Sequence, residues 1–129
     1  MATIKSYTDI SQSKTLSKIL PLKSADMCYL SEESLVPKVI YNGMAFFDSK
    51  EERLTNIIHC WSLAALLDII PKHIKDHNVL RIDISENDFA IWYGEIGFGV
   101  NNDLPDIIAD NPIDACYDMI IHLNELKML

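Results

Sequence analysis

The chain has 129 residues, of which 49% are hydrophobic and 23% are charged. This length and composition suffice for one hydrophobic core, which predicts a single globular domain over residues 1–129 and excludes a disordered chain. The formal net charge of −8 at pH 7 argues against direct nucleic-acid binding, because binding to phosphates needs cations.

The negative charge is concentrated towards the C-terminus. Residues 1–81 carry ten Lys/Arg and nine Asp/Glu, whereas residues 82–126 carry ten Asp/Glu and no Lys or Arg. These ten are Asp83, Glu86, Asp88, Glu95, Asp103, Asp106, Asp110, Asp114, Asp118 and Glu125. A carboxylate-rich surface attracts basic protein surfaces and speeds their encounter. We therefore expect a basic partner protein.

The sequence predicts a cytoplasmic protein that does not enter membranes. The longest apolar run, residues 63–67, is much shorter than the roughly 20 residues that span a bilayer. Residues 1–6 lack the apolar stretch of a secretory leader. The three cysteines, Cys28, Cys60 and Cys116, form no Cys-x-x-Cys motif and are typical of reduced, buried thiols.

Capping and turn residues predict the elements of the first half. Thr8-Asp9 is a helix N-cap, and the helix runs to about Leu20 because Pro21 ends it. Residues 25–30 predict a strand. Residues 36–41 and 44–47 flank Asn42-Gly43, which is a strong signal for a tight hairpin.

The second half predicts two helices around a second hairpin. Residues 61–70 form a helix that is apolar nearly all round, which is typical of an interior position. Residues 79–84 alternate polar and apolar and predict a strand, and residues 89–93 predict its partner. Residues 101–110 are predicted to be a loop. Asn111-Pro112 then begins a C-terminal helix.

The predicted order is therefore α-β-β-β-α-β-β-α. Short strands joined by hairpins indicate an α+β fold, with an antiparallel sheet of about five strands and helices packed on one face. The C-terminal helix has a polar stripe of Asp114, Asp118, His122 and Glu125. Opposite this stripe lies a wide apolar arc, formed by Ile113, Cys116, Tyr117, Ile120, Ile121 and Leu123. That arc is wider than one sheet contact needs, so a homodimer is a further expectation.

Two His/Cys patterns bear on catalysis. His73 and His77 have the i, i+4 spacing of metal ligands on a helix, but they follow Pro71 in a Lys-rich stretch where a solvated connection is favoured. His59-Cys60 places a base beside a thiol, although adjacent side chains point apart in extended backbone and a core thiol is favoured. We expect no cofactor, no catalytic residue and no metal site, and favour a non-enzyme.

Trp92 is the strongest aromatic candidate for an interface. Phe89, Ile91 and Tyr93 share one face of the predicted strand, which leaves Trp92 on the other face. Trp and Tyr are enriched at interface hot spots. Trp92 is therefore either covered by a partner or structural.

Several segments resemble a group of short, uncharacterised proteins of gut bacteria, often associated with phage or mobile elements. The matching segments are residues 6–10, 12–14, 19–27, 61–67, 92–94, 111–116 and 123–129. The resemblance spans most of the chain apart from residues 31–59 and 95–108. It implies a mobile-element context and brings no activity, cofactor or catalytic residue.

Three functions follow as expectations. The first is a non-enzymatic interaction or modulator protein that uses an acidic C-terminal surface, with Trp92, Asp114, Asp118 and Glu125 as its contact residues. The second is a small metal- or Cys/His-dependent enzyme. The third is a self-associating structural accessory protein.

Overall fold

The computed structural model describes residues 5–40, 57–75, 78–95, 99–100 and 104–129. Within these residues the chain forms three α-helices, one short 3₁₀ helix and eight strands in two antiparallel sheets. This confirms the α+β class and corrects the expectation of one sheet of about five strands. The chain divides into two compact units, an N-terminal unit of residues 7–65 and a C-terminal unit of residues 1–6 and 66–129. The single domain over residues 1–129 stays a prediction.

The N-terminal unit begins with helix α1, Ile10–Ser17. The Asp9 side chain accepts a hydrogen bond from the Gln12 backbone N–H at 2.8 Å, and the Gln12 side chain accepts one from the Asp9 N–H at 3.1 Å. This capping box satisfies two donors that have no partner within the helix. The predicted helix start is confirmed. The helix ends at Ser17 rather than Leu20, although the Leu20 N–H still bonds the Leu16 carbonyl.

The sheet of the N-terminal unit has the strand order β2-β1-β3. Its strands are β1 Met27–Tyr29, β2 Lys38–Val39 and β3 Ile58–Cys60. The strand predicted at residues 25–30 is confirmed, whereas β3 was not predicted. The hairpin predicted at Asn42-Gly43 lies outside the described residues.

Helix α2 spans Leu63–Ile69, two residues after its predicted start. Ser62 precedes it and accepts a hydrogen bond from the Ala65 N–H at 3.2 Å through its hydroxyl. Of the predicted helix, residues 61–70, only Trp61, Leu66 and Ile70 are buried, whereas Ala64 and Asp68 are exposed. The prediction of a helix buried nearly all round was wrong, because Ala64 and Asp68 lie one turn apart and form a face of the helix that is exposed to solvent.

The sheet of the C-terminal unit is built on a long antiparallel hairpin. Its strands are β4 His73–Ile74, β5 Asn78–Ile84, β6 Phe89–Glu95, β7 Gly99–Val100 and β8 Asp106–Ala109. The order is β4-β5-β6-β7, and β8 pairs with β6. The predicted hairpin of β5 and β6 is confirmed. The loop predicted at residues 101–110 was wrong where β8 forms.

Helix α3, Pro112–Glu125, packs against β6 and β8. The Asn111 side chain caps it by accepting a hydrogen bond from the Asp114 N–H at 2.9 Å, as predicted. The buried residues of α3 are Ile113, Ala115, Cys116, Met119, Ile120 and Leu123. The remaining residues of the predicted apolar arc, Tyr117 and Ile121, are half-buried. The sheet of the C-terminal unit therefore carries α3 on the face formed by Ile91 and Ile107.

The helices pack on different sheets. Helix α1 packs against β3 in the N-terminal unit, whereas α3 packs against β6 and β8 of the other sheet. The expectation of helices on one face of one sheet is corrected accordingly. Among the described residues, no helix combines the length and apolarity needed to cross a membrane.

Candidate interaction surface

Trp92 lies on the face of the C-terminal sheet opposite α3. Phe89, Ile91 and Tyr93 are buried, and the alternation of side chains along β6 turns Trp92 the other way. Its direct neighbours across the strands are Arg81 on β5 and Asp106 on β8. Both neighbours are exposed, while Trp92 is half-buried. The tryptophan thus sits between a cation and a carboxylate in one row of side chains.

The predicted acidic contact residues of α3 lie on its outward side. Asp114, Asp118 and Glu125 follow one another along one face of α3, and this set is called the α3 carboxylate row. Asp114 and Asp118 are half-buried, whereas Glu125 is exposed. The exposure of the row therefore increases towards the C-terminus of the helix.

Asp114 is held by several partners. Lys5 Nζ lies 2.9 Å from Asp114 Oδ1, and the Asn111 side-chain amide donates to Asp114 Oδ2 at 2.8 Å. The same amide donates to Asp110 at 2.8 Å. The Asp114 carboxylate also lies in the first turn of α3, where the helix dipole favours a negative charge. Asp114 is consequently a structural residue as well as a surface charge.

Asp118 has an unfavourable charge environment. Burial raises the pKa of the Asp118 carboxyl, and the Asp114 carboxylate one turn earlier raises it further. The nearby His122 side chain lowers this pKa. The Nδ1 atom of His122 lies 2.7 Å from the Asp118 carbonyl oxygen, which can only accept, so Nδ1 carries a proton.

Trp92 and the α3 carboxylate row lie on opposite sides of the C-terminal unit. The row points away from the sheet, because the apolar side of α3 faces the sheet. Trp92 projects from the other face of that sheet. The structure therefore does not bring the four predicted contact residues into one patch.

A second group of carboxylates surrounds the turn between β5 and β6. Asp83, Glu86 and Asp88 are all exposed there. The turn is closed by the Ser85 N–H, which donates to the Asp88 carbonyl at 2.9 Å, and by the Asp88 N–H, which donates to the Ser85 hydroxyl at 3.2 Å. The sequence showed that residues 82–126 are acidic, but it did not indicate that Asp83, Glu86 and Asp88 lie together at this turn.

Cys60 is part of a buried hydrogen-bonded cluster in the N-terminal unit. Its Sγ donates to the Thr8 carbonyl at 3.3 Å, and the Tyr29 hydroxyl donates to the same oxygen at 2.8 Å. Burial raises the pKa of the Cys60 thiol. Cys60 pairs with Met27 across β1 and β3, whereas His59 pairs with Cys28, so His59 and Cys60 face opposite sides of the sheet. The geometry at Cys60 favours a neutral core thiol over a thiolate paired with His59.

The two candidate metal ligands are not both described. His73 is exposed on the short strand β4, rather than in a connection, and His77 lies outside the described residues. In the part of the chain that the structure describes, no group of three or more His, Cys, Asp or Glu side chains could hold a metal ion.

Comparison of the chain with protein-family models, curated proteins and solved structures found no match. The resemblance to short proteins of gut bacteria therefore stays a prediction.

Proposed function

We propose that the protein is a non-enzymatic modulator that binds a basic surface of a partner protein through the α3 carboxylate row. The observation that carries the proposal is the position of Asp118 and Glu125 on the outward side of α3. They lie within residues 82–126, which contain no Lys or Arg. Asp118 and Glu125 therefore present negative charge within a long stretch that has no Lys or Arg, although Lys127 follows that stretch and Asp114 of the row is paired with Lys5.

The electrostatics of Asp118 support a cationic partner. Its carboxylate is partly buried and lies one turn from Asp114, and both features raise its pKa. A Lys or Arg placed beside Asp118 would relieve this repulsion and lower the pKa. Binding would thus gain from a charge arrangement that is unfavourable in the unbound protein.

The partner is expected to carry a Lys/Arg-rich face, such as the nucleic-acid-binding face of another protein. Attraction between opposite charges increases the association rate and weakens with salt. We place this function in the cytoplasm. The three free and buried cysteines support a reducing compartment.

The test compares two charge-reversal variants of equal net charge. Asp118→Lys/Glu125→Lys alters the α3 carboxylate row but keeps Asp114, because Asp114 pairs with Lys5. Glu86→Lys/Asp88→Lys alters exposed carboxylates at the turn between β5 and β6. Each tagged protein is used to capture partners from host lysate at low and high salt, followed by mass spectrometry.

For a captured partner, the dissociation constant is then measured against salt concentration. We expect the α3 variant to bind at least about tenfold more weakly and with a shallower salt dependence. The turn variant should bind nearly as well as the wild type. Equal losses in both variants would show that only net charge matters, and would refute the α3 carboxylate row as the binding surface.

A further inference from the structure

The face of the C-terminal sheet opposite α3 carries two adjacent rows of side chains. The Trp92 row runs across β5, β6 and β8 and is formed by Arg81, Trp92 and Asp106. The Ala90 row lies next to it, towards the turn between β5 and β6, and is formed by Asp83, Ala90 and Ile108. Residues two positions apart in a strand share a face, so both rows project from the same side of the sheet.

Both rows reach solvent. The charged side chains of Arg81, Asp83 and Asp106 are exposed, and Ile108 is 67% exposed. Trp92 is half-buried between its two charged neighbours. Exposed apolar side chains that are bordered by charged ones are typical of a protein–protein contact. The exposure of these side chains therefore indicates that this face is accessible to a partner.

The two rows differ in the size of their central side chain. Trp92 is the largest side chain that a residue can have, whereas Ala90, its neighbour on this face of β6, has only a methyl group. The face therefore has a projection beside a depression. Gly94, the neighbour of Trp92 in the other direction along β6, is buried. The depression that a partner can reach thus lies at Ala90.

The charges on β5 follow the same step between the rows. Arg81 lies beside the projection at Trp92, and Asp83 lies beside the depression at Ala90. Neither Arg81 nor Asp83 forms an ion pair with another of the described residues. A surface on which a cation accompanies the projection and an anion accompanies the depression is complementary to a second copy of itself in both volume and charge.

We propose that a second copy of the chain packs face to face on this surface, about a two-fold axis that lies between the two rows and perpendicular to the strands. Trp92 of each copy then covers Ala90 of the other and shields the adjacent Ile108. Arg81 of each copy lies over Asp83 of the other, which gives two ion pairs. Sheets that pack in this way lie about 10 Å apart, with strand directions within about 30° of each other. Extended arginine and aspartate side chains together span that distance.

Volume and charge select this arrangement over its neighbours. An axis centred on the Trp92 row would bring the two Trp92 rings together and oppose the two Arg81 guanidinium groups. An axis centred on the Ala90 row would oppose the two Asp83 carboxylates across an empty space between the alanines. An axis parallel to the strands would place Arg81 over Asp106, but it would also force the two Trp92 rings onto each other.

Sedimentation velocity over a wide concentration range tests the dimer and its charge pairs. We expect a weak dimer whose dissociation constant increases with salt, because the contact is small and charged. Arg81→Asp and Asp83→Arg should each weaken dimerisation about tenfold or more, since each opposes like charges twice. The double variant Arg81→Asp/Asp83→Arg restores both pairs and should recover the wild-type constant. Asp106→Asn is the matched control, because Asp106 has no cation opposite it in this arrangement, and it should not weaken the dimer.

Substitution of Ala90 tests the fit of Trp92 into the depression. Ala90→Phe fills the space that Trp92 of the other copy occupies, so it should abolish dimerisation. Ile84→Phe is the matched control, because Ile84 is 73% exposed and lies on the other face of the sheet. It adds an aromatic ring outside the contact and should leave the dissociation constant unchanged. Circular dichroism confirms that each variant is folded.

Tryptophan fluorescence reports on the same contact without a substitution. The chain has two tryptophans, and Trp61 is fully buried within its own unit. Its emission should therefore not depend on protein concentration. Trp92 loses solvent on dimerisation, so the emission of the protein should move to shorter wavelength as concentration increases, with the midpoint that sedimentation gives. Ala90→Phe should remove this shift.

Four results would overturn the proposal. The first two are a monomer at every concentration and a double charge variant that dimerises no better than the single ones. The third is an Ala90→Phe variant that dimerises as well as the wild type. The fourth is a loss of dimerisation in Asp106→Asn, which would indicate the axis parallel to the strands. The α3 carboxylate row lies on the other side of the C-terminal unit and takes no part in this contact, so either proposal can fail without the other.

Discussion

Lys5 Nζ forms an ion pair with Asp114 Oδ1 at 2.9 Å, which connects a residue near the N-terminus to the first turn of α3. Both side chains are partly shielded, with exposed fractions of 22% and 36%. This pair joins the N-terminal segment to the rest of the C-terminal unit. It also removes part of the charge that the α3 carboxylate row would otherwise present.

The first prediction concerns this ion pair. Lys5→Met should lower the free energy of unfolding by about 0.2–1 kcal/mol, as for other partly exposed pairs. Asp114→Asn should cost more, because the carboxylate also accepts from Asn111 and lies at the positive end of the α3 dipole. Urea denaturation of the wild type, both single variants and the double variant gives the coupling free energy between Lys5 and Asp114. Lys14→Met removes a more exposed pair with Glu32 and should have a smaller effect.

The second prediction concerns Asp118 and pH. Since its pKa is raised in the folded protein, ionisation of Asp118 opposes folding at neutral pH. Asp118→Asn should therefore stabilise the protein at pH 7 by about 0.2–0.5 kcal/mol, the size of an i, i+4 like-charge effect. The gain should shrink as pH falls through the raised folded pKa, and vanish below the ordinary aspartate pKa of 3.8. Thermal unfolding against pH measures this, with the exposed Asp106→Asn as control. A gain that persists in acid would contradict the electrostatic cause.

The third prediction concerns the fully buried Thr8. Its hydroxyl accepts a hydrogen bond from the Trp61 N–H at 3.1 Å and lies 2.8 Å from the Ser13 hydroxyl. Thr8→Val keeps the shape but leaves the Trp61 N–H without this acceptor, at a cost of about 1–3 kcal/mol. Thr8→Ser keeps the hydroxyl and should cost about 1 kcal/mol for the lost methyl group. Chemical denaturation gives the free energy of unfolding of both variants. A smaller loss in Thr8→Val than in Thr8→Ser would mean that the hydroxyl does not stabilise the fold.

The fourth prediction concerns thiol reactivity. Burial raises the pKa of Cys116 to about 12, and it raises the pKa values of Cys28 and Cys60 as well. The native protein should therefore react with a thiol reagent such as DTNB only as fast as it opens, whereas the unfolded chain should titrate three thiols. Ile82→Cys provides an exposed thiol as a positive control. Rapid modification of Cys60 in the native state would revive the thiol-enzyme alternative.

Local signals were sufficient for the helix starts and the longest hairpin. Asp9 and Asn111 are cap residues whose hydrogen bonds involve residues three positions later, so the sequence contains the whole motif. The alternation in β5 and β6 likewise lies within each strand. Strand β8 gave no such signal, because Ile107 and Ile108 are adjacent while only Ile107 is buried. Its pairing with β6 defines it, and that contact is distant in sequence.

The sequence was sufficient to predict which face of its own strand or helix each candidate residue occupies. It was not sufficient to predict where these residues lie relative to one another. Strand periodicity correctly placed Trp92 on the face away from Ile91 and Tyr93. Its separation from the α3 carboxylate row depends on which face of the sheet α3 covers, which no local pattern specifies. The pairing of Lys5 with Asp114 spans 109 positions and is equally invisible to a local analysis.

The division of the chain also affects the order in which it can fold during synthesis. The N-terminal unit, residues 7–65, is continuous, so a ribosome delivers all of it before the C-terminal unit is complete. Lys5 belongs to the C-terminal unit, yet it precedes the whole N-terminal unit in the chain and must wait for Asp114, which is made after that unit. Lys5, which is made before the N-terminal unit, thus finds its native partner only after that unit has been synthesised.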